Sequence, residues 1–116
     1  MVPNTLADMR LSIMNMTAFI LNDDHTTKEV PFLEACQWWT ENNERRIVKQ
    51  TTIGEFMIST VFLCFNHAFD DGIPLLFETM IFGPEGAMDQ RRYATWTGAV
   101  DGHEDMIKKL VNEYQS

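Results

Sequence analysis

The sequence predicts an α+β fold, an antiparallel sheet of about four to five strands with one short helix and one longer C-terminal helix packed on it. Three observations predict it. From Arg45 onward the hydrophobic period changes to two, and strand-length apolar runs alternate with turn residues. Near the C-terminus Trp96, Ala99, Val100, His103, Ile107, Leu110, Val111 and Tyr114 recur at steps of three and four, which places them on one face of a helix. Upstream, Pro31 opens a shorter segment with Phe32, Cys36 and Trp39 at helical spacing.

The elements follow in order. Residues 1–15 read as an N-terminal extension, with residues 16–116 forming one domain. Thr17 to Leu21 is an apolar strand, and Asn22-Asp23-Asp24-His25 is a turn by its Asn and Asp content. The short helix runs from Pro31 to Asn42-Asn43. Its adjacent Trp38 and Trp39 point about 100° apart, so both are covered only in a concave site or an interface. Arg46 to Thr52 is a strand, followed by a turn at Ile53-Gly54-Glu55. Phe56 to Asn66 is a long strand with two apolar faces, which argues for cover on both sides or for one side buried in a dimer. A loop over Ala68 to Ile73 leads to Pro74 and a strand from Leu75 to Phe82. Gly83-Pro84-Glu85-Gly86 breaks that strand, an exposed loop is expected to Gln90, and Arg91 to Thr95 is a short edge strand. Thr95 or Thr97 caps the final helix, which runs to about Tyr114.

Composition narrows the function classes. Apolar residues make up 45% and charged residues 22%, as in a folded globular domain. No segment approaches the ~20 apolar residues of a membrane span, and the start of the chain lacks the features of a secretory signal. The net charge of −8 opposes non-specific nucleic-acid binding, which needs Lys and Arg against phosphates. One local exception is a basic patch, formed if the fold brings Arg45, Arg46 and Lys49 to Arg91 and Arg92; solvated strand ends are the commoner outcome. Cys36 and Cys64 both have apolar neighbours and are expected as free thiols.

Three polar residues interrupt the apolar pattern: His67 at the end of the long strand, Glu78 in the next strand, and His103 on the final helix. Two imidazoles and a carboxylate can form a facial ligand set for a divalent metal such as zinc, or a base with its orienting acid. The simpler account is structural: a buried carboxylate needs a partner, and histidine is the natural one. No His-Glu-x-x-His, Gly-x-Ser-x-Gly or phosphate-binding glycine loop is present. Trp38 and Trp39 are the candidate contact aromatics, and Arg91, Arg92 and Tyr93 the candidate group for an anion or a partner carboxylate.

Several words of the sequence occur in order: Ser59-Thr60-Val61-Phe62-Leu63, Asn66-His67-Ala68-Phe69, Pro74-Leu75-Leu76-Phe77-Glu78-Thr79-Met80-Ile81-Phe82-Gly83, and Arg92-Tyr93-Ala94-Thr95-Trp96 running on to Gly102-His103. Over about residues 17–104 the chain thus resembles a family of small uncharacterised bacteriophage and prophage proteins, with the signature S-T-V-F-L-G-x-D-H-x-F, P-x-L-F-E-T-M-x-F-G and R-Y-x-T-W-x-x-A-x-x-G-H. Two positions depart from it: Cys64 stands where the signature has Gly, and Asn66 where it has Asp. The resemblance implies a setting and no activity: a phage gene product in the cytoplasm of a bacterial host, where small accessory proteins bind host or phage proteins, among them defence-system components. The expectation is therefore a protein that binds another protein, or itself as a homodimer, without a cofactor. The alternative is a metal-dependent hydrolase or nucleotide-binding protein using His67, Glu78 and His103.

Overall fold

The computed structural model describes residues 17–66 and 72–115, and these form an α+β fold with two antiparallel sheets and two helices. A small sheet pairs β1 (Ala18–Leu21) with β2 (Thr27–Val30). Helix α1 (Phe32–Glu41) follows, then a 3₁₀ turn (Asn43–Arg46). A four-stranded meander comes next: β3 (Ile47–Ile53), β4 (Phe56–Phe62), β5 (Phe77–Gly83) and β6 (Gly86–Tyr93), adjacent in that order. Helix α2 (Trp96–Gln115) closes the chain and packs across all four of these strands.

Two strands differ from expectation. β2 was not anticipated, because Thr27-Lys28-Glu29-Val30 is half charged and has no partner face to impose alternation. The loop expected after Gly83 is a tight turn at Pro84-Glu85, and the strand resumes at once as β6. Gly86 makes this possible with φ +113, a backbone angle that side chains oppose. β6 is an edge strand, so its exposed Met-Asp-Gln-Arg-Arg composition resembles a loop.

The long strand predicted to Asn66 ends at Phe62. Beyond it the chain turns sharply at Cys64, which has φ +66, and the Phe65 N–H donates to the Leu63 carbonyl at 2.7 Å. That three-residue hydrogen-bonded turn carries the chain from the large sheet into the small one. Phe19 N–H donates to the Cys64 carbonyl at 2.7 Å, and Ala18 bridges Phe65, so β1 pairs with the segment leaving β4. One cluster joins the two sheets: Leu21, Phe62, Cys64, Leu76, Phe77 and Ala99, with Trp38, Trp39, Tyr93 and Trp96 at its margin. A second cluster lies under the far half of α2 and comprises Ile58, Ile81, Met106 and Leu110.

Register assigns the faces of the large sheet. Thr60 faces Thr79, Ile58 faces Ile81, and Phe62 faces Phe77, all on the side of α2. Met57, Ser59 and Val61 on β4 and Glu78, Met80 and Phe82 on β5 alternate with them and point away. On β3, Ile47 pairs with Val61 and Gln50 with Ser59, which puts both on the outward side.

Candidate functional site

His103 is the centre of the inward face. It comes up from α2 fully buried, at 0% exposure, and both ring nitrogens are engaged. Nδ1 lies 2.7 Å from Thr60 Oγ1 and Nε2 lies 2.9 Å from Thr51 Oγ1. Thr60 Oγ1 is in turn 2.5 Å from Thr79 Oγ1. The hydrogen bonds therefore run from the helix to β3, β4 and β5. A neutral imidazole has one donor and one acceptor, and hydroxyls act as either, so each tautomer satisfies the whole chain. Burial holds His103 below its ordinary pKa, with nearby Lys49 adding to the effect and Glu104 opposing it. Lys49 and Glu104 form an ion pair at the edge of the same layer.

Neighbouring residues set this helix in place. Thr95 Oγ1 accepts a hydrogen bond from the Gly98 N–H at 3.0 Å and caps the first turn. The Tyr93 ring lies against Gly102, where a Cβ would overlap it. The Tyr93 hydroxyl is buried without a hydrogen-bond partner among the described residues. The run from Tyr93 to His103 thus acts as one clamp: cap, close ring-to-backbone contact, then the hydrogen bond from His103 to the sheet.

Glu78 is also buried, at 9% exposure, but on the opposite face of the sheet from His103. Its partner is Arg92, directly across on β6, whose Nε donates to Glu78 Oε2 at 2.9 Å. The expected pairing of Glu78 with His103 is therefore corrected: the carboxylate has an arginine, and that imidazole has threonines. His67 lies outside the described residues. With both nitrogens hydrogen-bonded in a sealed core, His103 has no lone pair to offer a metal and no access to a substrate proton. Among the described residues no three His, Cys, Asp or Glu side chains converge as a ligand set.

The predicted basic patch is not assembled. β3 and β6 are opposite edges of the sheet, and the cations pair locally: Arg45 with Asp23 at 2.8 Å, Lys49 with Glu104, and Arg92 with Glu78. Arg46 lies flat over the Trp39 ring and donates from Nε to the Phe62 carbonyl at 3.1 Å. Trp38 meets Phe62 edge-on, and Trp39 stacks on Phe65. The two tryptophans are thus half-buried packing residues at the junction of the sheets. Tyr93 likewise packs under α2, and Arg91 stays exposed on the edge strand.

Two surface features remain. A cavity of about 470 Å³ opens between the β1–β2 turn and the start of α2, with Phe77 in its lining and His25 stacked on Trp96 at 3.7 Å. Three of its polar side chains serve local structure: Asp24 accepts from the Thr26 N–H and hydroxyl, and Thr95 caps the helix. The other feature is the outward sheet face. Ile47 and Met57 are 43% and 36% exposed there, Val61, Met80 and Phe82 are half-buried, and no described helix packs on them. The two-sided strand is legible in the sequence; that the described charges of this face, Glu78 and Arg92, pair with each other is not.

Comparison with protein-family models, curated proteins and solved structures finds no match. Among the described residues no helix is long and apolar enough to cross a membrane.

Proposed function

We propose that this chain is a small phage accessory protein, working in the cytoplasm of the bacterial host, that acts by binding a protein, a different one or a second copy of itself, through the outward face of its four-stranded sheet. One observation carries the reading: α2 covers one side of the sheet, and on the other the described residues leave Ile47 and Met57 exposed beside half-buried Val61, Met80 and Phe82. A largely apolar face, interrupted by Ser59 and the Glu78–Arg92 pair and bordered by Gln50, Thr52 and Gln90, mixes apolar and polar groups as a contact surface does. Methionines on it adapt their shape to a partner. The phage setting is supported by the word-for-word resemblance around Ser59–Leu63, Pro74–Gly83 and Arg92–His103. The sealed His103 and the Glu78–Arg92 pair favour no catalytic alternative.

The test uses site-specific photocrosslinking. A benzophenone side chain is placed at Met57 on the outward face and, as a control, at Lys108 on the exposed side of α2, in the full chain expressed in bacteria. Discrete protein adducts from position 57 and none from position 108 are expected. Equal yields from both positions would overturn the assignment of the face.

A further inference from the structure

We infer that the occupant of the outward sheet face is a second copy of this chain, seated face to face in a two-sheet sandwich; this rests on the docking reading above and names its partner. Electrostatics favours that occupant. A chain with a net charge of −8 repels its own copy over most of its surface. A twofold interface brings equivalent patches together, so any unpaired charge near the axis meets its like. Among the described residues the outward face has none: Glu78 is neutralised in place by Arg92, and the rest of the face is Ile47, Met57, Val61, Met80 and Phe82 with uncharged Gln, Ser and Thr.

The acidic residues of α2, Asp101, Asp105 and Glu113, are exposed on the other side of the molecule. With two sheets packed ~10 Å apart and a helix ~10 Å thick behind each, the two acidic surfaces end up on the order of 30 Å apart. That is several Debye lengths at physiological salt, so their repulsion is screened. A basic partner, by contrast, gains nothing from a neutral face and would be drawn to the acidic surfaces. Charge complementarity thus selects the second copy.

Size sets the strength. Strands of seven residues in β3, β4 and β5, beside the eight of β6, give a flat footprint of roughly 19 by 23 Å at ordinary strand spacing and rise. Such a face is at the small end of specific interfaces, so the dimer is reversible and depends on concentration.

Sedimentation velocity over a concentration series tests the inference with the full chain and three variants. The wild type is expected to pass from monomer to dimer, and Met80→Glu to weaken association by about tenfold or more. Met80→Lys alone is also expected to be monomeric, whereas an equimolar mixture of the Glu and Lys variants associates, because opposite charges then meet across the interface. Circular dichroism and a cooperative melt confirm folding; if the Met80 variants fail to fold, the same exchange at exposed Met57 replaces them. A dimer that survives in both single variants and is lost in an edge-strand variant, Gln90→Pro, overturns the face. A wild-type monomer at every concentration that still gives crosslinks to another protein from position 57 overturns only the second copy. A monomer with no crosslinks from that position overturns the docking reading as well.

Discussion

The two faces of the four-stranded sheet are made by alternate residues of the same strands, and each has a polar feature near its middle. On the inward face His103 is sealed under α2 and bonded to Thr51 and Thr60. On the outward face Glu78 pairs with an Arg92 whose side chain is still 38% exposed. Both faces also contain large apolar residues, so hydrophobicity does not tell them apart. What distinguishes them is the kind of polar partner. Uncharged hydroxyls suit a site with no water, where an ion would be costly, whereas a charged pair with one solvated member suits a face that water reaches. A covered interior and a contact surface are therefore distinguishable by the chemistry of their hydrogen bonds.

The largest expected effect comes from the inward face. Replacing His103→Leu leaves the Thr51 hydroxyl without its partner and takes a hydrogen bond from Thr60, both beneath the helix. A loss of about 2–4 kcal/mol is expected in urea unfolding. A loss under about 1 kcal/mol would mean the layer is wetter than a sealed core permits. The same residue gives a pH signature. Its folded pKa is held below the ordinary 6.5 by burial, so the unfolded chain takes up the proton first. Stability is then full above pH 6.5 and falls as the pH drops below it, until the folded imidazole also protonates. Asp89 and Glu104, whose carboxyls are held low by Lys109 and Lys49, act in the same direction but only near the carboxylate range. In His103→Leu the decline just below pH 6.5 should be absent.

Next in size is the clamp beside it. In an exposed helix Gly→Ala is favourable, yet Gly102 lies under the Tyr93 ring. Gly102→Ala is expected to cost about 1–3 kcal/mol through displacement of that ring. Tyr93→Leu in the same chain should recover part of the loss, because it vacates the space. Additive losses in the double variant would show that the ring and the glycine do not oppose each other.

These residues also show how far the sequence could be read. The α2 stripe was legible because a long covered helix imposes a step of three and four, and Ala99, His103 and Leu110 do point inward. Gly102 and Met106 belong to the same face and were missed, the first because glycine carries no hydrophobic signal. That His103 would tie the last helix to the sheet was readable from its apolar neighbours. That its partners are threonines was not, because Thr51, Thr60 and Thr79 look like ordinary strand formers until register places them together. Glu78 was assigned the wrong partner for one reason: Arg92 lies on the predicted edge strand Arg91 to Thr95, but only the β5–β6 register, set across a turn that reads as loop, brings it opposite Glu78.

On the outward face a smaller effect is expected. Arg92→Met removes the partner of Glu78, but water reaches the pair, so the carboxylate is resolvated. About 1 kcal/mol is expected, clearly less than for His103→Leu under identical conditions. Equal losses would erase the distinction between the faces. If the chain associates through this side, Arg92→Met should also perturb assembly while His103→Leu, at matched fraction folded, should not.

The smallest effect separates backbone from packing at the hinge between the sheets. Cys64 is buried and its thiol is pushed up to about 12 by desolvation, so it is an inert packing group. Its backbone sits at φ +66, where a side chain costs on the order of 1–2 kcal/mol relative to glycine. Cys64→Ala keeps the strain and loses the sulfur, whereas Cys64→Gly loses the sulfur but relieves the strain. At an ordinary buried site glycine is the worse of the two by ~1 kcal/mol. Here the order should invert, with Cys64→Gly within about 1 kcal/mol of wild type and more stable than Cys64→Ala. Finding alanine the more stable would place the tight turn at Cys64 among relaxed conformations and shift the explanation of this residue from backbone angle to side-chain packing.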